Sequence, residues 1–289
     1  MKLVYVLILG LTFNLTVLRS SLAQTSSDAT LKEKASSVQN AEDQFLLGRA
    51  YARGEGVPQS YEKAGEWYLK AANQGNLKAM NNLGILFLEG QGVVRNEAEG
   101  LSWIKRAAMA GDPRSMFLYG KFLCEGQGIS KDSTGGVLWM TKASEAGNNA
   151  ATRRLAQDMI LGDDGMKADP NKALPLLEKL SSAGDGWACG VLGGYYYGGN
   201  FVTQNISKAK QLLLIGATSG DARSLQYYGE LLSETNPSMA YPYLKLASEL
   251  NPTPINDKAL QNCTHSLNPE EISLGNTKVE EIRSKFPPK

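Results

Sequence analysis

The segment Leu47-Gly48-Arg49-Ala50-Tyr51-Ala52-Arg53-Gly54-Glu55-Gly56-Val57 has two close copies, at 83–93 and 119–129, each 36 residues further along the chain. All three copies keep a bulky residue followed by glycine, a second bulky residue four positions later, and a Gly-x-Gly turn that ends in valine or isoleucine. Bulky residues at i and i+4 lie on one face of a helix, and the paired glycines allow turn conformations denied to other residues. A fixed period in this range indicates stacked helical repeats.

A second pattern follows each copy. Trp67, Ala71 and Gly75 have equivalents 36 and 72 residues later. The spacing predicts a second helix whose tryptophan packs over Gly48 of the first helix, where the missing side chain lets the two helices approach. The last glycine of the pattern is expected to end the second helix in a left-handed conformation. The glycines at this position are Gly75, Gly111, Gly147, Gly184 and Gly220.

The repeat divides most of the chain into six helical-hairpin units. The fourth unit is one residue longer than the first three, and the sixth lacks the glycine turn and joins its helices through the short link 234–237. Each unit is predicted to form an antiparallel helix pair, which gives an all-α fold. The predicted units are 41–76, 77–112, 113–148, 149–185, 186–221 and 222–252.

On these motifs the chain resembles the Sel-one-like repeat (SLR) proteins, relatives of the tetratricopeptide repeats with a longer, glycine-marked turn. The resemblance covers about residues 41–252 and is closest in the first three units. It implies a right-handed superhelical solenoid of antiparallel helix pairs. It also implies a tetratricopeptide-like scaffold or adaptor that works in multiprotein complexes.

The two ends of the chain carry different signals. Residues 1–23 combine Lys2, an apolar run and the small residues of Ser21-Leu22-Ala23, and we interpret them as a secretory signal peptide cut after Ala23. A retained membrane anchor is the alternative, although the apolar run is shorter than the roughly 20 residues of a spanning helix. The polar segment 24–40 is predicted to be a flexible lead-in.

At the other end, 253–289 is predicted to be a C-terminal linker and a capping helix. Asn251-Pro252-Thr253-Pro254 is expected to break the array. Asn268, Pro269 and two glutamates that follow then predict the start of a helix over about 269–285. Repeat arrays need such a cap for solubility.

Composition excludes several classes of protein. Cleavage of the leader would remove two basic residues and lower the formal net charge from +1 to −1, which does not favour nucleic acid or an anionic membrane as partner. No membrane span is expected after cleavage. The three cysteines, Cys124, Cys189 and Cys263, are too few for a disulfide-rich scaffold. We expect them to be buried or unpaired.

No catalytic or metal-binding pattern stands out, so neither an enzyme nor a cofactor is predicted. His265 is the one histidine and is placed in a polar loop, and no cluster has zinc spacing. Asp163-Asp164-Gly165 lacks the alternating acids and the terminal glutamate of a calcium loop and is interpreted as the turn of the fourth repeat. Ser-x-x-Lys occurs three times without the other elements of a penicillin-recognising enzyme. Its serines are Ser60, Ser102 and Ser207.

A partner is expected on the concave face, which the first helices line in the related tetratricopeptide arrays. Basic and amide side chains dominate this face in the first four units, and aromatic side chains enter in the fifth. Such groups suit a carboxylate or an extended peptide backbone. The candidate residues are Arg49, Lys78, Asn81, Asn82, Arg114, Lys121, Arg153, Arg154, Gln157, Trp187, Tyr197, Arg223 and Tyr227.

The sequence therefore predicts an exported, non-enzymatic adaptor, periplasmic in a Gram-negative bacterium or secreted, that binds a protein or peptide partner with acidic groups. One alternative is a secreted factor that acts on a host cell by the same mode of binding. Another is a repeat protein that binds or hydrolyses a β-lactam. A third is a lumenal adaptor of a eukaryote.

Overall fold

The repeat pattern returns as pairs of helices in the computed structural model, which describes residues 39–287. The expected signal peptide and residues 24–38 of the lead-in lie outside this range. The helices divide into two compact units, up to residue 146 and from residue 147 onward. Unit 1 contains α1 (Ala41–Arg53), α2 (Tyr61–Asn73), α3 (Leu77–Glu89), α4 (Glu97–Met109), α5 (Pro113–Glu125) and α6 (Ser133–Glu145).

Unit 2 holds the remaining eight of the fourteen helices found between residues 39 and 287. Its first six continue the paired pattern, and the last two follow the sixth repeat. The helices are α7 (Asn149–Leu161), α8 (Pro170–Ser182), α9 (Gly186–Gly198), α10 (Ile206–Thr218), α11 (Ala222–Ser233), α12 (Pro237–Leu250), α13 (Pro254–His265) and α14 (Pro269–Arg283).

Short-range signals fix where the helices start and stop. Asn40 caps α1, as its side chain accepts a hydrogen bond of 2.8 Å from the amide of Asp43. Asn, Asp or Ser occupies the same position before each later helix of unit 1, since these side chains satisfy amides left free at a helix start. Gly75, at φ +90°, adopts the predicted left-handed conformation after α2.

Close contact between the two helices of a pair depends on one small residue in the first helix, which is glycine in five repeats and Ala156 in the fourth. A Cβ added at Gly84 would lie 2.6 Å from Cγ1 of Ile104 and 2.8 Å from the carbonyl oxygen of Gly100. At Gly48 the nearest atom would be Cδ1 of Tyr68, at 2.6 Å. The predicted role of this glycine is therefore confirmed. The same contact recurs in unit 2 at Gly193.

The predicted partner of the glycine was wrong by one position. The side chains closest to it are Tyr68 and Ile104, which follow Trp67 and Trp103. One step along a helix turns a side chain by about 100°, so the tryptophan points beside the contact. A cation three residues later covers its ring instead, with Nζ of Lys70 at 4.0 Å from the ring centre of Trp67.

The C-terminal segment differs from the predicted linker, because residues 254–265 form helix α13. The Asn-Pro-Thr-Pro sequence does break the array, but its second proline stands at the first position of a helix, where no backbone donor is needed. The side chain of Thr253 caps this helix through the amide of Asn256, at 3.2 Å. His265 consequently lies in the last turn of a helix and not in a loop.

The predicted capping helix exists as α14, which packs against α12. Asn268 and Glu271 form a reciprocal capping box with two bonds of 3.0 Å. The hydroxyl of Tyr241 donates to Oδ1 of Asn276 at 3.1 Å, and Phe286 reaches Gly220 at the end of α10. The cap therefore covers the second helices of the last two repeats.

All three cysteines are buried, in agreement with expectation. Their thiols contact backbone carbonyls, as in Cys263, whose Sγ lies 3.3 Å from the oxygen of Pro237. Burial, together with the nearby charges of Asp185 and Asp221, raises the pKa of Cys189 to about 11. A thiol in such a place is protonated at neutral pH and is a poor nucleophile.

The glycine contact gives a direct test of the packing. We expect Gly84→Ala to lower the free energy of unfolding by about 2 kcal/mol, because the new methyl group overlaps Ile104 and the carbonyl of Gly100. Urea unfolding followed by circular dichroism measures the change. Gly198→Ala is the control. The atom nearest to its new methyl group would be the side-chain amide nitrogen of the exposed Asn200, which can move aside, so this substitution should leave the free energy of unfolding unchanged or raise it slightly. Equal effects at the two sites would contradict the assigned contact.

Candidate functional site

A cavity of about 470 Å³ opens among the first helices of unit 1 and is called here the unit 1 groove. Five of the predicted partner-binding residues line it, on α1, α3 and α5. The same position of successive repeats falls on the same face, so side chains far apart in sequence meet there. These residues are Arg49, Lys78, Asn81, Asn82 and Arg114.

Arg49 supplies the most unusual atom of the groove. Its Nε is buried and has no hydrogen-bond partner within the described residues. A buried donor without a partner costs about 1–3 kcal/mol, so such atoms are rare unless a ligand completes them. Arg49 lines the groove, and its buried Nε is a donor without a partner within the described residues.

The other cations of the groove differ in how strongly they are engaged. Nζ of Lys78 lies 3.7 Å from the carboxylate of Glu42, and both side chains are more than half exposed. Arg53 pairs with Glu55 in the same loose way, at 3.3 Å. Arg114 is exposed and makes no ion pair within residues 39–287. Exposed pairs are worth little, so these cations are available to a partner.

The two asparagines are held by neighbours. Asn81 is buried, and its Oδ1 lies 3.1 Å from the hydroxyl of Ser115, which also meets the carboxylate of Asp112 at 2.7 Å. Asn82 is hydrogen-bonded to Tyr68, whose pKa is raised by burial although that hydrogen bond lowers it. The network fixes the amide groups in the wall of the groove.

Sequence reasoning missed three aromatic residues of the unit 1 groove, Phe45, Tyr61 and Tyr68. The rings of Phe45 and Tyr68 stack with centres 6.0 Å apart. The sequence does carry a signal for Tyr68. The equivalent residues of the next two repeats are Ile104 and Met140, so a tyrosine at this position is an exception that places a hydroxyl beside the glycine contact.

In unit 2 the predicted arginines are already engaged. Both Nε and Nη2 of Arg153 bind the carboxylate of Asp185, with Nε at 3.1 Å. Nε of Arg154 lies 2.9 Å from the buried Asp158, and its Nη2 lies 2.6 Å from Asp164. Arg154 therefore holds the turn of the fourth repeat in place.

The remaining predicted residues lie apart from the unit 1 groove. Lys121 is exposed, 3.8 Å from Glu125. In unit 2 the rings of Tyr197 and Tyr227 lie 5.7 Å apart, whereas Trp187 faces the guanidinium of Arg153 at 5.9 Å. The last two are Gln157, which is half-buried, and Arg223, which is exposed.

The weak catalytic candidates have structural roles. Asp164, from the faint calcium-loop pattern, is paired with Arg154. Ser60, from the first Ser-x-x-Lys match, caps α2 by accepting a hydrogen bond of 3.3 Å from the amide of Lys63. Between residues 39 and 287 no group of three or more His, Cys, Asp or Glu side chains is arranged to hold a metal ion.

Helix length bears on the membrane question. Among the residues that the structure describes, no helix combines the length and apolar character needed to cross a bilayer. The longest of them, α14, has 15 residues and carries several charges.

Helix pairs that recur at a fixed period define a helical-repeat protein. The Sel1 repeat model matches residues 41–76, 77–112, 113–148, 149–185, 188–221 and 222–252, so the chain belongs to the Sel1 repeat family. This confirms the resemblance and the all-α repeat solenoid inferred from the sequence. Proteins of this family typically act in protein–protein interaction and are generally not catalytic.

One solved structure supports the fold. A Sel1 repeat protein from Oxalobacter formigenes is 26% identical, with a TM-score of 0.68 over 80% of this chain and 97% of that one. The antigen c5321 of uropathogenic Escherichia coli, which displays an SLR fold, is 20% identical, with a TM-score of 0.42 over 87% and 70% of the two chains. The immunity protein Pa5087 of Pseudomonas aeruginosa is 19% identical, with a TM-score of 0.44 over 77% and 81%. No curated protein sequence gives a significant match.

The Asp158–Arg154 pair predicts a pH effect on stability. Burial raises the pKa of Asp158 from 3.8 to about 6, although the hydrogen bond and charge of Arg154 lower it. Between about pH 4 and 6 the folded state holds a proton that the unfolded state releases, so the free energy of unfolding falls as pH rises. Asp158→Asn removes this pH dependence. Relative to the wild type, we expect the free energy of unfolding of the variant to rise by about 2 kcal/mol from pH 4 to pH 7.

Urea unfolding at several pH values measures this difference. The exposed Glu178 provides a control, since Glu178→Gln should follow the wild type across the range. A difference between wild type and Asp158→Asn that stays constant from pH 4 to pH 7 would show that Asp158 titrates as an ordinary carboxyl group.

Proposed function

We propose that this chain is an exported, non-enzymatic adaptor that binds a protein or peptide partner through the unit 1 groove, and that acidic groups of the partner enter the groove. The export part of the proposal rests on the leader-like sequence of residues 1–23. The adaptor part is supported by the family, whose members are typically interaction scaffolds.

The observation that carries the proposal is the unpartnered Nε of Arg49. A guanidinium offers two parallel donors, which match the two oxygens of a carboxylate. A carboxylate seated in the groove would complete this donor and remove the cost of leaving it unpaired. Arg114 stands on the same groove without an ion pair between residues 39 and 287, and offers a second cation to the partner.

The walls of the groove suit a peptide better than a small ion. Asn82 presents an amide, and amides pair with the backbone of an extended segment. The buried rings of Phe45 and Tyr68 form the wall behind these polar groups. This mixture of a few charges, amides and aromatic rings is typical of protein-interaction surfaces.

Affinity capture from the envelope fraction of the source organism tests this function, followed by affinity measurement on the captured partner. We expect Arg49→Met combined with Arg114→Glu to weaken binding by about tenfold or more, because a partner carboxylate loses its charged donors. The wild-type affinity should fall as salt is raised. Arg49→Met alone should keep or slightly raise the free energy of unfolding, because the lost donor had no partner.

A matched control is Lys131→Glu, which reverses an exposed charge in a turn of unit 1 away from the groove. The control should bind the partner like the wild type. A double variant that folds normally and captures the partner with unchanged affinity would rule out the groove as the binding site.

A further inference from the structure

Unit 2 contains a second cavity, of about 660 Å³, between the end of α11 and helix α13. It is called here the α11–α13 pocket. Its apolar wall is formed by Leu244, Ile255, Ala259 and Cys263. Ile255 is 66% exposed, which leaves this wall open to solvent. The volume falls within the range of about 300–1,000 Å³ that ligand pockets occupy.

The packing of α9, α11 and α13 explains why the pocket is open. α9 and α11 approach each other directly, since a Cβ added at Gly194 would lie 2.9 Å from the ring of Tyr227. No comparable contact closes the next gap, because α13 packs mainly on α12 and only weakly on α11. The face formed by α9 and α11 therefore continues into the pocket.

The α11 side of the pocket carries two carboxylates, Glu230 and Glu234. Within residues 39–287 neither carboxylate takes part in an ion pair. The carboxylate of Glu230 accepts a hydrogen bond of 3.0 Å from the side chain of Gln226. Lys258 is the one cation among the residues that line the pocket. Burial raises the pKa of Tyr197, and the charges of Glu230 and Glu234 raise it further, which places Tyr197 in the same negative field.

The aromatic pair of unit 2 stands beside these carboxylates. The rings of Tyr197 and Tyr227 lie 5.7 Å apart at an angle of 43°, and both are half-buried. An aromatic face attracts a cation, and neighbouring carboxylates strengthen that attraction. Within the described residues no cation of the chain lies over either of these two rings.

We propose that this face of unit 2 binds a peptide segment of a partner protein in which a basic side chain stands next to a large apolar one. The basic side chain lies against Tyr197 and Tyr227 and pairs with Glu230 and Glu234. The apolar side chain enters the α11–α13 pocket against Ile255. Charge complementarity selects this occupant, because an acidic segment would meet two uncompensated carboxylates.

The site is independent of the unit 1 groove and prefers the opposite charge. Its wall belongs to α11, α12 and α13, and none of its residues lines the groove around Arg49. Failure of one site therefore leaves the other untouched, and the two are tested by separate variants.

A library of random dodecapeptides displayed on phage provides the probe, with the mature chain immobilised and the selected peptides resynthesised for affinity measurement. We expect one class of selected peptides to contain Lys or Arg next to Leu, Ile, Phe or Met. Glu230→Lys combined with Glu234→Lys should weaken the binding of these peptides by about tenfold or more, because both introduced lysines would repel the basic side chain of the peptide. Ile255→Glu, which changes an exposed side chain in the pocket wall, should weaken them to a similar extent.

Controls separate this effect from loss of fold and from the unit 1 groove. Glu178→Lys reverses an exposed charge elsewhere in unit 2 and should leave affinity unchanged, as should the double variant of Arg49 and Arg114. Circular dichroism verifies that each variant is folded. The proposal is overturned if no basic–apolar class is selected, or if its peptides bind the folded double-lysine variant within about twofold of the wild type.

Discussion

The fold depends on one steric condition, that the first helix of a repeat has little or no side chain where the second helix crosses it: five repeats have glycine there, and the fourth has the buried Ala156. At Gly120 an added Cβ would lie 2.7 Å from the carbonyl oxygen of Gly136, and the equivalent glycines meet similar limits. Helices that approach this closely lock their relative rotation, because side chains around the crossing can fill only one arrangement of gaps. The register of every other side chain in the repeat follows from this contact.

That register explains how the unit 1 groove arises from a regular array. The positions that face it are not constrained by packing, so they differ freely from one repeat to the next. Arg49 and Arg114 stand on different repeats, yet both line one cavity. Tyr68 shows that even a packing position contributes, since its ring fills the glycine contact and its hydroxyl binds Asn82.

The sequence predicted the features that depend on residues close together in the chain. Helix starts at Asn40 and helix ends at Gly75 follow from local hydrogen bonding and backbone conformation. The pairing of Arg153 did not follow from local sequence, whereas Arg154 pairs with Asp158 only four residues later. Arg153 finds its carboxylate at Asp185, 32 residues away, and this pairing depends on how α7 and α9 are placed. Helix α13 was missed because two prolines mask a helix start that a threonine cap makes possible.

Ion pairing also changes the interpretation of charge on the first helices. The sequence alone suggested a basic face on the first helices of the first four repeats, because it does not show that Arg153 and Arg154 are paired with carboxylates. Once both are paired with aspartates, their charge is largely cancelled for a partner. The charges of Glu230 and Glu234 are not cancelled in this way, since no cation between residues 39 and 287 forms an ion pair with either carboxylate. The unpaired side-chain charge is thus positive around Arg49 and negative beside α11. One repeat array with similar packing therefore carries two surfaces that favour partners of opposite charge.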